Sequence, residues 1–201
     1  MDTTDIQPGL VLWVTGRPGS GKTTLIKNLY EQLVSGDHKV EILDEDEVHH
    51  FFNRDYRHSP EDYRRQITGL IWVCKLLSRN GVTALCSTTS PQEEYRQMVR
   101  EEIVPLVDVY ADAPAEVCQV RDTSTAHNLV NAATRSDWYD HYESPAHTDI
   151  RLDTQNHSPE ANAEKVLKWL QNRFSRQRND SGYTSEEEQE IKDRLQSLGY
   201  L

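Results

Sequence analysis

A chain of 201 residues can hold one domain with a proper core and a modest appendage. Its net charge of -11, from 33 acidic against 22 basic residues, excludes a nucleic-acid-binding surface of the ordinary kind, because phosphate backbones select basic patches. No apolar run approaches the roughly 20 residues of a membrane span, and the acidic start MDTTDIQPG lacks the basic-then-apolar order of a signal peptide, so a soluble, cytoplasmic protein is expected.

Only 36% of the residues are apolar and the mean hydropathy is -0.77, yet the apolar residues are bunched into LVLWV, VEIL, VTALC and VPLVDVY. Bunching of that kind argues for buried strands and against disorder. Only 7 of the 22 basic residues are lysine, and an acidic, lysine-poor surface suits a high-salt interior. Cys74, Cys86 and Cys118 are odd in number, far apart and set among apolar residues. They read as reduced, buried thiols.

In chain order, residues 10–15 read as a strand buried on both faces, then a glycine-rich turn and an amphipathic helix to about Val34. VEIL (40–43) is a second strand. A helix capped by Ser59, with Pro60 at its first position, runs to about Ser78. VTALC (82–86) is a third strand, 90–103 a helix capped by Ser90, 104–111 a fourth strand, and a short helix begins within DAPAEVCQVRD. Residues 122–148 are polar without a period and read as a loop or lid. DIRLDT (149–154) is a fifth strand, followed by a helix from Pro159 to about Phe174. Residues 1–174 thus form the main domain, 175–182 a linker, and 183–201 a short helix outside the core. Alternating strands and helices predict an α/β fold in three layers, a central parallel sheet of about five strands with helices on both faces.

Gly16-Arg17-Pro18-Gly19-Ser20-Gly21-Lys22-Thr23 fits G-x4-G-K-[ST] between a predicted strand and a predicted helix, the context this phosphate loop requires. Backbone N–H groups of such a loop wrap a phosphate, the lysine reaches the β- and γ-oxygens, and the threonine hydroxyl ligates Mg²⁺. A nucleoside triphosphate follows as ligand, with ATP and Mg²⁺ as the cofactors.

Just after VEIL comes Asp44-Glu45-Asp46-Glu47. Ligands of an open parallel sheet lie beyond the carboxyl ends of its strands. If this strand lies beside the loop strand, Asp44 and Asp46 face the transferring phosphate, where a carboxylate holds Mg²⁺ through water or takes a proton from an acceptor hydroxyl. A solvated charge run is the competing reading, stronger for Glu45 and Glu47. His49 and His50 lack the i, i+4 spacing of a zinc helix.

The blocks GLVLWVTGRPGSGKTTL, LDEDEVHH, NRDYRHSPEDYRRQI, TSPQEEYR, YADAPAEVCQVRD and YESPAHTDIRLDT resemble those of the adenylylsulfate (APS) kinase family, in order and at matching spacing. The second block is similar to the family's L-D-G-D-x-V-R-x, and the third to N-R-D-L-G-F-S-P-E-D-R-x-x-N-I. The resemblance covers about Gly9 to Leu170 and implies a P-loop NTPase fold and a MgATP-dependent kinase of sulfate assimilation that phosphorylates the 3′-hydroxyl of APS. It implies that residues Gly16 to Thr24 hold the phosphates, that Arg121 lies near the adenine, and that Thr23 and, through water, Asp44 serve the metal. It makes Asp46 the general base and places Ser90 at the serine recorded as a phosphoserine intermediate, though in-line transfer needs no covalent step. A homodimer is a further implication.

The departures fall on the acceptor side. His49 and Tyr63 replace two arginines that contact APS, Gln66 an asparagine, and His58 a phenylalanine; Asn53 is kept. The lid reads TSTAHNLVNAATR, with Arg135 its one charged residue, although Trp138 or Tyr139 could stack on a base. Two lost guanidiniums remove the bidentate donors best suited to a phosphosulfate, at roughly 1.5–3 kcal/mol for each charge-assisted bond. Two further readings therefore stand: a kinase of the same scaffold with another nucleotide-like or small-molecule alcohol acceptor, and a nucleotide-binding regulatory module without transfer.

Overall fold

A computed structural model describes residues 9–36, 38–45, 47–48, 59–122, 141–180, 189, 192–194 and 196. Five strands, β1 (Val11–Thr15), β2 (Val40–Asp44), β3 (Thr83–Thr88), β4 (Leu106–Asp112) and β5 (Ile150–Asp153), form one parallel sheet in the order β2-β3-β1-β4-β5. Between and after them run α1 (Lys22–Ser35), α2 (Pro60–Ser78), α3 (Glu93–Glu102), α4 (Ala115–Arg121) and α5 (Pro159–Asp180).

The order follows from burial. All five residues of β1 and all six of β3 are buried, so each needs a neighbour on both sides. In β2 only Asp44 is fully buried, the pattern of an edge strand. This corrects one expectation: β2 lies beside β3, not beside the loop strand β1. The α1 crossover skips a place in the sheet, and β3 fills it.

Two cores cover the two faces. Leu25, Ile26, Leu29 and Leu33 of α1 pack with α5 against Leu12, Val14, Leu85 and Val109. Burial of those four α1 side chains stabilises the layer by about 1.5–3 kcal/mol each. The opposite face carries Ile67, Leu70 and Cys74 of α2 and Tyr95 and Val99 of α3 against Trp13 and Cys86. All three cysteines are buried free thiols, as expected.

Ser59 caps α2 as predicted, its hydroxyl accepting the Asp62 N–H at 3.1 Å, with Pro60 at the first position. Such a cap stabilises a helix by about 1 kcal/mol. Two boundaries differ from expectation. Helix α3 begins at Glu93 with Gln92 as its cap, not Ser90, because the Ser90 hydroxyl is engaged elsewhere and its backbone is left-handed, φ 39°. Helix α5 runs to Asp180, over most of the stretch read as linker. SRQRND is polar, but it holds no glycine or proline to stop a helix; the first breaker is Gly182. Gln189, residues 192–194 and Gln196 are helical, within the expected C-terminal helix. No described helix is long and apolar enough to cross a membrane.

Asp108 of β4 anchors α3, accepting from Arg100 Nη1 at 2.8 Å, while its other oxygen is buried with no hydrogen-bond partner among the described residues. Burial pushes this carboxyl up to about 6, against the pull of Arg100. The folded chain thus holds a proton that the unfolded chain releases from about pH 4 upward. The associated stability is complete below about pH 4 and is lost as the pH rises through 6, up to about 3 kcal/mol. Asp108→Asn removes that slope. The drop in Tm between pH 4 and pH 7, read by calorimetry, is expected to be smaller by several degrees than in the wild type.

Candidate active site

β1 ends at Thr15 and α1 starts at Lys22, so the glycine-rich loop spans one strand end and one helix N-terminus. That places backbone N–H groups and the positive end of a helix dipole at the carboxyl edge of the sheet. Gly19 (φ 76°) and Gly21 (φ 94°) adopt left-handed backbone. A side chain at Gly19 would also meet the Cys118 carbonyl oxygen of α4. Glycine there is a steric requirement, not a matter of flexibility.

Lys22 Nζ folds back on the loop and donates to the carbonyl oxygens of Gly16 and Arg17, both at 3.0 Å. Its ammonium is held at the loop centre, where phosphate oxygens would compete for it. Thr23 Oγ1 donates to Asp44 Oδ2 at 2.7 Å, and Ser87 Oγ donates to the same oxygen at 3.3 Å. Asp44 is 5% exposed at the end of β2. A hydroxyl beside a carboxylate is a hard-oxygen donor set, which suits Mg²⁺.

These groups line a cavity of about 680 Å³ that takes in Pro18 to Leu25, Asp44, Glu45, Ser87, Thr89, Arg121 and the loop after β5. β2 and β5 are opposite edges of the sheet, so Asp44 and the β5 loop bound opposite sides of the opening. Arg121, at the end of α4, donates from Nη1 to the Thr154 carbonyl at 2.9 Å and joins the two segments at that second side. Asp153 builds the loop, accepting the N–H groups of Gln155 and Asn156 and the Asn156 amide. Those bonds, that of the Asn156 side chain foremost, hold its carboxyl below the usual range. Gln155, Asn156 and His157 line the cavity but were not singled out from sequence; the polar run after the last strand was the available signal.

Of the residues anticipated from sequence, Pro18, Gly19, Ser20, Gly21, Lys22, Thr23, Thr24, Asp44 and Arg121 come together on this one cavity. Gly16 and Arg17 contribute their carbonyls to Lys22 instead of wall surface, and the Arg17 guanidinium lies 5.0 Å from the centre of the Tyr142 ring. Asp46, His49, Asn53, His58 and Trp138 lie outside the described residues, as does most of the anticipated lid. Glu45, read as a candidate for a solvated charge run, is a half-buried wall residue with its carboxylate tied to the Thr89 N–H.

Tyr63 and Gln66 were anticipated on the acceptor wall and stand one layer behind it. Tyr63 is 1% exposed, with its ring edge-on to Tyr95 at 4.9 Å. Its hydroxyl accepts the Ser90 N–H at 2.8 Å. Gln66 is buried, and its amide reaches Glu45 Oε1 at 3.4 Å. An aromatic ring gains more from packing against the core than an arginine head would, which turns position 63 inward.

Ser90 itself is fully buried. Its hydroxyl pairs with Thr88 Oγ1 at 2.6 Å and accepts from Trp13 Nε1 at 3.4 Å; its carbonyl accepts from the buried Arg96 at 2.7 Å. Arg96 and Arg17 both lie within 6 Å of the Tyr142 ring centre, and burial pushes the Tyr142 phenol well above its usual range. Tyr142, Arg96 and Thr15 therefore tie the β3–α3 turn to the phosphate loop, a knot that sequence reasoning missed because its members lie in four separate segments.

A phosphate loop whose threonine is bonded to a buried strand-end aspartate, on a sheet of this order, makes the chain an ATP-binding P-loop kinase. The sequence profile described as adenylylsulphate kinase matches residues 8–153. The adenylyl-sulfate kinase of Halothermothrix orenii is 35% identical over 168 residues, covering 82% of this chain and 91% of that one. A probable adenylyl-sulfate kinase of Pseudomonas aeruginosa is 36% identical over 164 residues, covering 80% and 77%. Among solved structures, the Mycobacterium tuberculosis APS kinase in complex with AMPPNP and APS superposes with a TM-score of 0.74 at 26% identity, covering 82% of this chain and 98% of that one. The chain belongs to the adenylylsulphate kinase family.

Gly19→Ala combines a left-handed backbone with a contact no backbone atom can yield to. It is expected to lower Tm by a few degrees, for about 1–3 kcal/mol, and to weaken MgATP binding, both readable in one set of thermal-shift titrations. Lys22→Ala should leave Tm near the wild-type value and cut phosphoryl transfer by about 10²–10³-fold or more. Transfer at the wild-type rate would remove Lys22 from the reaction.

Proposed function

We propose that this chain transfers the γ-phosphoryl group of MgATP to the 3′-hydroxyl of adenylylsulfate, giving ADP and 3′-phosphoadenylylsulfate. The observation that carries the reading is the Thr23–Asp44 pair, 2.7 Å apart at the mouth of the phosphate loop, in a chain of this family. A relative crystallised with both an ATP analogue and APS supports the choice of acceptor.

In this reading Lys22 leaves the Gly16 and Arg17 carbonyls for the β- and γ-phosphate oxygens, and the loop N–H groups hold the β-phosphate. Thr23 and, through water, Asp44 hold Mg²⁺, which spreads the charge that develops across the β- and γ-phosphates. Arg121 and the Thr154–His157 loop take the adenine end. Asp46 takes the proton of the acceptor hydroxyl as it attacks in line. Ser90 supports the turn beside the site and forms no phosphoserine, because its hydroxyl is buried between Trp13 and Thr88. ATP as the donor makes the cytoplasm the compartment of the reaction, and a homodimer carries over from the resemblance, testable by sedimentation.

A second reading keeps the mechanism and changes the acceptor to another nucleotide-like or small-molecule alcohol. Tyr63 favours it, since the position of a substrate arginine is turned into the core.

A coupled ADP-release assay with MgATP, at low and molar salt, separates the two. Turnover at micromolar APS is expected; silence with APS and turnover with another alcohol would establish the second reading. In the same assay Asp46→Asn is expected to slow transfer by about 10²–10⁴-fold with ATP binding intact. Ser90→Ala is expected to keep transfer within about tenfold of the wild type, where a route through a phosphoserine would lose it altogether.

A further inference from the structure

The family block L-D-G-D has glycine where this chain carries Glu45. The substitution puts a carboxylate on the cavity wall, among Asp44, Lys22, Thr23, Ser87 and Thr89. Glu45 follows β2 directly, between Asp44 and the anticipated base Asp46, on the β2–β3 side of the phosphate loop. The side chain is held in place: Oε2 accepts the Thr89 N–H at 2.5 Å, and Oε1 accepts from the Gln66 amide at 3.4 Å. Both donors are neutral, so these bonds orient the carboxylate without cancelling its charge.

An oriented carboxylate on a pocket wall has a definite chemical preference. Ionised, it only accepts hydrogen bonds, and it offers about four acceptor positions, so two bonds do not exhaust it. A hydroxyl gains a charge-assisted bond there, a bare carbon gains nothing, and an anion is repelled. The group that meets Glu45 belongs to the acceptor, since the ATP phosphates are taken by the loop, and it stands beside the hydroxyl that reacts near Asp46.

We propose that Glu45 is a specificity residue of the acceptor site, whose carboxylate takes the hydroxyl vicinal to the one phosphorylated, so that the chain selects a cis-diol of the ribose type. The assignment rests on the kinase reading above and narrows its acceptor class. Gln66 acts through Glu45 as a positioning residue, which gives the departure at position 66 a role: its amide steadies the carboxylate from behind the wall.

The test compares kcat/KM for paired acceptors, APS with its 2′-deoxy and 2′-phospho derivatives, in the wild type, Glu45→Gln and Glu45→Gly. Adenosine 5′-phosphate and its 2′-deoxy form make a second pair. The wild type is expected to disfavour the deoxy member by about 10- to 100-fold, mainly through KM, as the loss of one hydrogen bond to a charged group dictates. Glu45→Gly should bring each pair to near equality. Glu45→Gln, which keeps an oxygen for the Thr89 N–H, should fall between and should gain on the 2′-phospho acceptor. Melting temperature and the KM for ATP report whether each variant is folded, and the Gln variant carries the charge test if the Gly variant is not. An equal deoxy penalty in wild type and Glu45→Gly overturns the proposal, as does a wild type indifferent to the vicinal hydroxyl. Failure with APS alone sinks the APS reading, and the penalty is then read on whichever acceptor turns over. Turnover of an acceptor with no hydroxyl beside the reacting one, or of no acceptor at all, overturns the Glu45 proposal.

Discussion

The hydrogen bond from Thr23 to Asp44 fixes the geometry on which the site depends. It links the first residues of α1 to the last residue of β2, two elements that do not touch through the sheet because β3 lies between them. β3 supplies Ser87 to the same carboxylate oxygen, so three adjacent segments converge on one buried acceptor. A buried carboxylate is costly unless it is hydrogen-bonded or meets a cation. Two hydroxyl donors satisfy Asp44 without neutralising it, which leaves a site prepared for a divalent metal with its phosphates.

Around that bond the cavity divides by rigidity. Its nucleotide half is built from a strand end, a helix N-terminus and a loop tied down by Asp153, all well anchored in the two cores. Behind the acceptor half stands the knot of Trp13, Tyr63, Ser90 and Arg96, in which every polar group of Ser90 is engaged and a left-handed backbone is held in place. A strained turn persists only where its surroundings over-determine it. Here they do, so Tyr63 is a structural part in a position where the family pattern has a substrate contact. The same turn also presents the Thr89 N–H to Glu45, and the specificity proposed for Glu45 depends on it.

The phosphate loop was legible because its spacing encodes its conformation: glycines at left-handed positions, then lysine and threonine opening a helix. Strand and helix order was legible from the bunching of apolar residues, and the Ser59-Pro60 start of α2 from cap chemistry alone. Less legible were the features set by tertiary neighbours. Adjacency of β2 depended on which strand was buried on both faces, and the cap of α3 on the prior engagement of the Ser90 hydroxyl. Tyr63 and Gln66 matched a motif by position, yet the pull of the core on an aromatic ring and a two-atom reach to Glu45 set where they point. Glu45 looked like one more member of an acidic run until the Thr89 N–H gave it a fixed partner. The end of α5 was misjudged because polarity was read as a linker where only a glycine or proline would have stopped the helix.

The account turns on Asp44 as the metal's second contact, and the most direct measurement is the Mg²⁺ dependence of phosphoryl transfer at saturating ATP in the wild type and in Asp44→Asn. A neutral amide in that place would still accept from Thr23 but would lack the charge that draws the ion. The account requires the Mg²⁺ concentration for half-maximal rate to rise by about 10- to 100-fold in the variant. An unchanged Mg²⁺ requirement would place the metal elsewhere and reduce the Thr23–Asp44 bond to a structural strut.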